Sequence, residues 1–264
     1  MICQNSSLGF IGFGEAGQAM AETLRPLLTP AIQSFDLVTE RSSTPSVQAL
    51  VAQCDLVIST VTAGEAANVA QACAEHEGEG RLFLDGNSVA PSTKASNAAM
   101  LGQAGWHYMD LAIMAPIHPR GHRTPMLLSG EGADEVAAGL ASQLAFAITA
   151  KGEQVGRASS IKMIRSIMVK GLEALTSELY EAGEKAGVLD EVLASLDASK
   201  VDRTWREQVD YNLERMTTHG IRRAEEMEEV VKTLEDLGLD PDMTSGTVRR
   251  QRRYGLAGQA PKKD

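Results

Sequence analysis

The segment Gly12-Phe13-Gly14-Glu15-Ala16-Gly17 constrains this chain more than any other. It is a G-x-G-x-x-G that directly follows the apolar run Leu8-Gly9-Phe10-Ile11 and directly precedes the amphipathic stretch EAGQAMAETLRPLL. Such a hexapeptide is weak evidence alone, but between a strand and a helix it has a specific use. Gly12 permits the tight turn, Gly14 lets the backbone approach a pyrophosphate, and Gly17 lets the helix pack against the strand. Amides at the helix start, from Glu15 and Ala16 onward, then face the phosphates with a favourable dipole. Asp36 ends the next strand-like run, IQSFD. A carboxylate there accepts bonds from ribose hydroxyls and repels a 2′-phosphate, so NAD is the expected cofactor. NADP is possible, because Arg41, Ser42 and Ser43 follow closely and could hold a phosphate instead.

Behind the loop, short aliphatic runs alternate with Ala-rich helical stretches. DLVISTV, RLFLDGN, HYMDLAIM, TPMLLSG and FAITAKG read as strands; VQALVAQC, AANVAQACAEH, PSTKASNAAMLGQAG and ADEVAAGLASQLA read as helices. That alternation implies right-handed crossovers and a mostly parallel sheet. Near Gly152 the pattern turns helical, with ASSIKMIRSIMVKGLEALTSELYEAGEKAG as one long helix ended by Gly187. DEVLASLDAS, TWREQVDYNLERMTTHG, RRAEEMEEVVKTLEDLGL and PDMTSGTVRRQRRYGL are the helices expected after it. The fold class is therefore α/β: a Rossmann-type, mostly parallel sheet over 1–155, the dinucleotide-binding domain, with a second, all-helical domain over 156–264.

Composition narrows the function. The chain has 264 residues and a formal net charge of −10, which argues against sequence-independent nucleic-acid binding. No apolar run approaches the ~20 residues of a membrane span. The start lacks the basic region of a signal peptide. Cys3, Cys54 and Cys73 are widely spaced, without a CxxC pair, so no disulfide scaffold or metal site is expected, and a cytoplasmic location is. Arg249, Arg250, Arg252, Arg253, Lys262 and Lys263 make a basic tail, read as a solvated end.

Four segments together resemble the β-hydroxyacid dehydrogenases, the 3-hydroxyisobutyrate and 6-phosphogluconate dehydrogenase group. They are GFIGFGEAGQAMA at the start, DGNSVAP at 85–91, DLAIMAPIHPRGHRTPMLLSG at 110–130 and GRASSIKMIRS at 156–166. THGIRRAEEMEEV at 218–230 points to the branch with a phosphogluconate-dehydrogenase NAD-binding-like C-terminal domain. The resemblance implies that 85–91 reaches the nicotinamide and substrate. It matches the family's D-x-S-T-x-x-P at Asp85, Ser88 and Pro91, with Asn87 in place of a hydroxyl residue. It also implies that Lys162 is the catalytic lysine. Arg165 and Ser166 stand where the family has paired asparagines, and Leu111 to Pro116, with Met114, replace its Ser-Gly carboxylate cradle. Thr60 and Val61, after DLVIS, complete the expected cofactor set with Phe13. The resemblance also implies that the 156–264 domain serves substrate binding and dimerisation, giving a homodimer.

Oxidising an alcohol removes a hydride from carbon and a proton from oxygen, so a positioned base must take the proton. Partial burial beside a cationic nicotinamide would disfavour the ammonium form of Lys162 and bring the amine into range. Arg165 and Ser166, at i+3 and i+4, share its helix face. His118, with Arg120, His122 and Arg123, either binds an anionic substrate or forms a solvated loop. Arg222 either binds substrate in place of the family's late lysine or pairs with Glu225, Glu226 or Glu228.

The reading is an NAD(P)-dependent dehydrogenase acting on a small hydroxy acid or sugar acid, with Ser88, Met114, His118, Arg165, Ser166 and Arg222 toward the substrate. The alternatives are an imine reductase-like C=N reductase and a non-catalytic NAD(H)-binding sensor.

Overall fold

The structure, a computed structural model, describes residues 3–259. Lys262 and Lys263 of the expected basic tail lie outside the described residues. The chain divides into two compact units, Met1–Arg165 and Ser166–Asp264.

The first unit is a seven-stranded sheet in the order β2-β1-β3-β4-β5-β6-β7. Its strands are β1 (Leu8–Ile11), β2 (Gln33–Phe35), β3 (Leu56–Ser59), β4 (Leu82–Asp85), β5 (His107–Ile113), β6 (Met126–Ser129) and β7 (Ile148–Ala150). β1 to β5 are parallel, β6 runs antiparallel to β5, and β7 runs parallel to β6. The antiparallel step follows from the β5–β6 connection, which contains only a 3₁₀ turn at Gly121–Arg123 and no crossover helix. The helices are α1 (Glu15–Leu24), α2 (Val47–Val51), α3 (Ala66–Ala74), α4 (Pro91–Gln103) and α5 (Ala133–Leu144).

Both faces of the sheet are covered, which is why its strands read as unbroken aliphatic runs. Phe10, Ile58 and Leu84 pack on one side with Met20 and Leu24 of α1 and Leu140 of α5. Ile11, Val57 and Phe83 pack on the other with Leu50 of α2, Cys73 of α3 and Leu101 of α4. Strand register also sets Ser59, Asp85, Asp110 and Ser129 side by side across β3, β4, β5 and β6. Neighbours in register project to the same face. A polar row therefore crosses an otherwise apolar sheet, on the side covered by α4.

Four further helices follow: α6 (Arg157–Ala186), α7 (Leu189–Ala198), α8 (Trp205–Asp236) and α9 (Asp242–Gln259). The division between the units falls inside α6, so its first turns, including Lys162, belong with the sheet. α8 opens with a capping box in which Thr204 and Glu207 satisfy each other's backbone amides. Glu178 of α6 caps α9 by accepting from the amides of Met243 and Thr244 at 2.7 and 2.9 Å.

One expectation is corrected. The two helices expected on either side of Gly220 are a single helix, α8. Gly220 serves close packing instead of termination: a Cβ there would lie 2.3 Å from the Gln251 carbonyl oxygen and 2.7 Å from the Gly255 nitrogen of α9. No helix among the described residues is long and apolar enough to cross a membrane.

Gly220→Ala is expected to destabilise the second unit by about 1–3 kcal/mol, because α9 must be pushed away. This outcome opposes the ~1 kcal/mol that alanine gains over glycine in a helix. Urea unfolding followed by circular dichroism checks the sign.

Candidate active site at the carboxyl edge of the sheet

The carboxyl ends of the parallel strands lie at one edge, and chain order reverses around β1, whose neighbours are β2 and β3. Open sheets of this kind bind ligands at such a switch point. The glycine loop stands there. Gly12 has φ +83°, and a Cβ on it would lie 2.7 Å from the Thr60 carbonyl. A Cβ on Gly17 would lie 2.6 Å from the Gly12 carbonyl oxygen, so α1 can approach only because Gly17 has none. Around Gly14 the opposite holds: a Cβ there would meet nothing within 4 Å.

Gly14 is also the N-cap of α1, and no side chain caps the helix. Its first-turn amides, at Glu15 and Ala16, therefore have the geometry that receives an anion. Beside them runs a cleft of about 260 Å³ lined by Gly12, Gly14, Asp36, Arg41, Thr60 and Val61, among others. An open glycine and an uncapped helix start beside a cleft fit a dinucleotide.

Asp36 does more than face this cleft. Its carboxylate accepts from the Phe13 amide at 2.6 Å and the Val38 amide at 2.8 Å, which fixes the loop to β2. Ser42 is spent on the Asp36 backbone, and Ser43 donates to Gln33 and accepts from the Ser34 amide. That leaves Arg41 as the group of this trio that lines the cleft.

The loop ends are tied to one another. Thr60 Oγ1 donates to the Gly12 carbonyl at 2.7 Å, and the Val61 amide donates to Asn87 Oδ1 at 2.7 Å. Asn87 is buried, with its Nδ2 on Ser59 at 2.9 Å, so it holds the end of β3 and does not point outward. Ser88, the next residue, is exposed. Lys162, half-buried on the second turn of α6, donates from Nζ to Ser88 Oγ at 2.7 Å. Two segments 74 residues apart in sequence thus meet at one hydroxyl.

Beneath them lies a group that the sequence reading did not single out. Lys94 of α4 is wholly buried. Its ammonium donates to the Asp85 carbonyl and to Asp85 Oδ1 at 2.8 Å, and lies 3.5 Å from Asp110 Oδ1 as an ion pair. The other Asp85 oxygen accepts from Tyr108 at 2.7 Å and Asn97 at 3.3 Å. Burial, then the Asp85 charge, pushes the Tyr108 hydroxyl far above its ordinary range, so it stays a neutral donor. Asp110 accepts from Ser129 at 3.2 Å and from the amide and hydroxyl of Ser159 at 2.9 and 2.5 Å, at the start of α6. A faint signal was available: Lys94, Asn97 and Leu101 follow at i, i+3 and i+7, a helix face that is buried although mostly polar.

The remaining candidates are scattered. Met114 is half-buried just past β5. His118 is exposed, its Nε2 3.9 Å from Glu15. His122, left open between a substrate ligand and a solvated loop, is neither: it is buried, with Nδ1 2.7 Å from Thr23 Oγ1 and its ring edge-on to Phe146. It pins the β5–β6 connection to α1. Arg165 is exposed, and Ser166 begins the second unit. Arg222 lies in the second unit and pairs with Glu226 at i+4, the second of its two expected roles.

Fold and edge together define a protein of the Rossmann-like, NAD(P)-binding class whose sheet unit is followed by helices. Residues 184–254 match the domain of unknown function DUF1932. A conserved hypothetical protein from Sinorhizobium meliloti 1021 is 32% identical, covering 98% of this chain and 91% of its own, with a TM-score of 0.61. The conserved protein MTH1747, whose structure is described as similar to 3-hydroxyacid dehydrogenases, is 29% identical over 96% of this chain and 100% of its own, with a TM-score of 0.58. An imine reductase from Myxococcus stipitatus, solved with NAD⁺, shares the fold at a TM-score of 0.76 but only 18% identity, over 96% of this chain and 94% of its own. The chain belongs to the family of the Sinorhizobium meliloti protein.

Burial, then the neighbouring Arg123 charge, holds the His122 pKa down at about 4, against an ordinary 6.5. Between those values the unfolded chain binds a proton that the folded chain refuses. Stability is therefore complete above about pH 6.5 and falls as the pH drops toward 4. Chemical denaturation at a series of pH values should show that slope in the wild type and a shallower one in His122→Gln.

Proposed function

We propose that this protein is an NAD(P)-dependent oxidoreductase that transfers a hydride between the nicotinamide and the carbinol carbon of a small hydroxy acid or sugar acid. Lys162 serves as the general acid–base. The observation that carries this reading is the 2.7 Å bond from Lys162 Nζ to Ser88 Oγ, at the edge that also presents the glycine loop. The dinucleotide, when bound, supplies or accepts the hydride. The Glu15 and Ala16 amides hold its pyrophosphate, Asp36 its ribose, and Thr60 and Val61 wall the cleft.

In oxidation, neutral Lys162 Nζ takes the hydroxyl proton of the substrate as the hydride leaves carbon; in reduction its ammonium returns a proton to the carbonyl oxygen. Ser88 Oγ orients Nζ and offers a second hydrogen bond to the same oxygen. Met114 makes an apolar wall. Exposed His118 and Arg165 are assigned to the acid group of the substrate.

The first unit is assigned to nucleotide binding, and the helical unit to homodimerisation. Exposed apolar side chains along α6, Ile164 at 67% and Ile167 at 74% among them, support a second copy as their cover. Buried Cys54 and Cys73, their thiols pushed up to about 12 by burial, suit a reducing cytoplasm. Small molecules are the expected substrates.

Lys162→Ala is expected to lower kcat/KM by about 10²- to 10⁴-fold on the best of a panel of hydroxy acids with NAD⁺, while NADH affinity by fluorescence titration stays unchanged. A wild-type rate in that variant overturns the acid–base assignment. Turnover of cyclic imines instead reassigns the reaction to C=N reduction, and tight NADH binding without turnover in either panel makes the protein a sensor. Asp36→Asn removes the charge but keeps an acceptor for Phe13. It should raise NADPH affinity relative to NADH by about tenfold or more, as direct titration of both coenzymes would measure.

A further inference from the structure

The buried charges beneath the site have no part in the proton transfer itself. We propose that the triad Lys94–Asp85–Asp110 is a positioning device that sets Ser88 and Lys162 at hydrogen-bonding distance. The inference rests on the reading of Lys162 as the acid–base group.

The two halves of the Ser88–Lys162 contact hang from the two carboxylates. Asp85 Oδ1 accepts from the Asn87 amide at 3.0 Å, which fixes the turn that presents Ser88. Asp110 Oδ2 accepts from the Ser159 amide at 2.9 Å, and Ser129, bonded to the same oxygen, accepts from the Ala158 amide at 3.0 Å. These are first-turn amides of α6, which have no partner within their own helix. Lys162 follows Ser159 by three residues, one turn on along the same face.

Lys94 lies between the carboxylates and holds both in one orientation. A buried ion cluster adds little net stability compared with apolar residues of similar volume. Its directional bonds do restrict the geometry of every group attached to them. Lys94, Asp85 and Asp110 are positioning residues, because none of them touches the proposed reacting atoms.

The test reads the Lys162 amine directly. Wild type, Lys94→Met, Asp110→Ala and Asp110→Asn are labelled with trinitrobenzenesulfonate, and peptide mass spectrometry gives the labelling rate of Lys162 relative to exposed Lys170. Leu140→Ala, a cavity on the opposite face of the sheet, controls for general loosening. Asp110→Asn keeps the shape where the other variants fail to fold. It still turns an NH₂ either toward the ammonium and the Ser159 hydroxyl or toward Ser129 and the Ser159 amide, so one set of bonds is lost.

The expected result is a rise of about fivefold in the Lys162-to-Lys170 ratio in the triad variants, the release of one hydrogen bond, and no rise in Leu140→Ala. An unchanged ratio in folded Asp110→Asn, or an equal rise in Leu140→Ala, overturns the proposal. The two readings fail separately. A raised ratio in a protein that turns over no substrate keeps the positioning and removes the acid–base role. An unmoved ratio in an enzyme inactivated by Lys162→Ala does the reverse.

Discussion

A lysine ammonium enclosed in the interior of a sheet must be paired and hydrogen-bonded, because an isolated charge there is too costly to keep. Lys94 meets that condition through Asp85 and Asp110, and these in turn engage Tyr108, Asn97, Asn87, Ser129 and Ser159. The requirement propagates outward. Asn87 holds the Val61 amide, Thr60 of the same segment holds Gly12, and Phe13 is held by Asp36. The carboxyl ends of β1, β2, β3, β4 and β6, the middle of β5 and the start of α6 are joined in this way. Satisfied polar networks of this kind specify one arrangement more than they add stability.

The division of labour across the sheet follows from the same row. One face is predominantly apolar and carries α1 and α5, while the other combines an apolar cluster with the polar line Ser59–Asp85–Asp110–Ser129. Chemistry can be placed along that line because the apolar remainder already supplies the burial that stabilises the unit. In the helical unit the corresponding economy is steric. Gly220 and Gly255 let two backbones touch, and the Glu178 carboxylate caps α9.

Much of this was legible in the chain. Strand and helix alternation, the glycine loop, the long helix over 157–186 and the presence of Lys162 on it follow from local patterns that the structure retains. Gly220 misled because a glycine inside a helical pattern signals a terminus and a close helix contact equally well; only the partner helix distinguishes them. Lys94 escaped notice because a lysine on an amphipathic helix is ordinarily solvated. His122 looked like its neighbours in a basic loop, yet Thr23, 99 residues away in sequence, turns it inward.

The sequence by itself determined which elements form and which loop faces a phosphate. Those properties depend on periodicity, on glycine's missing Cβ and on helix-end amides, all local in origin. Only the tertiary structure decided that Ser88 and Lys162 meet, that Asn87 turns inward, and that three distant charges share one buried site. Strand register brings Asp85 beside Asp110, and the crossover before β5 lays α4 over them. Such pairings depend on how residues far apart in the chain are brought together, which no local pattern encodes.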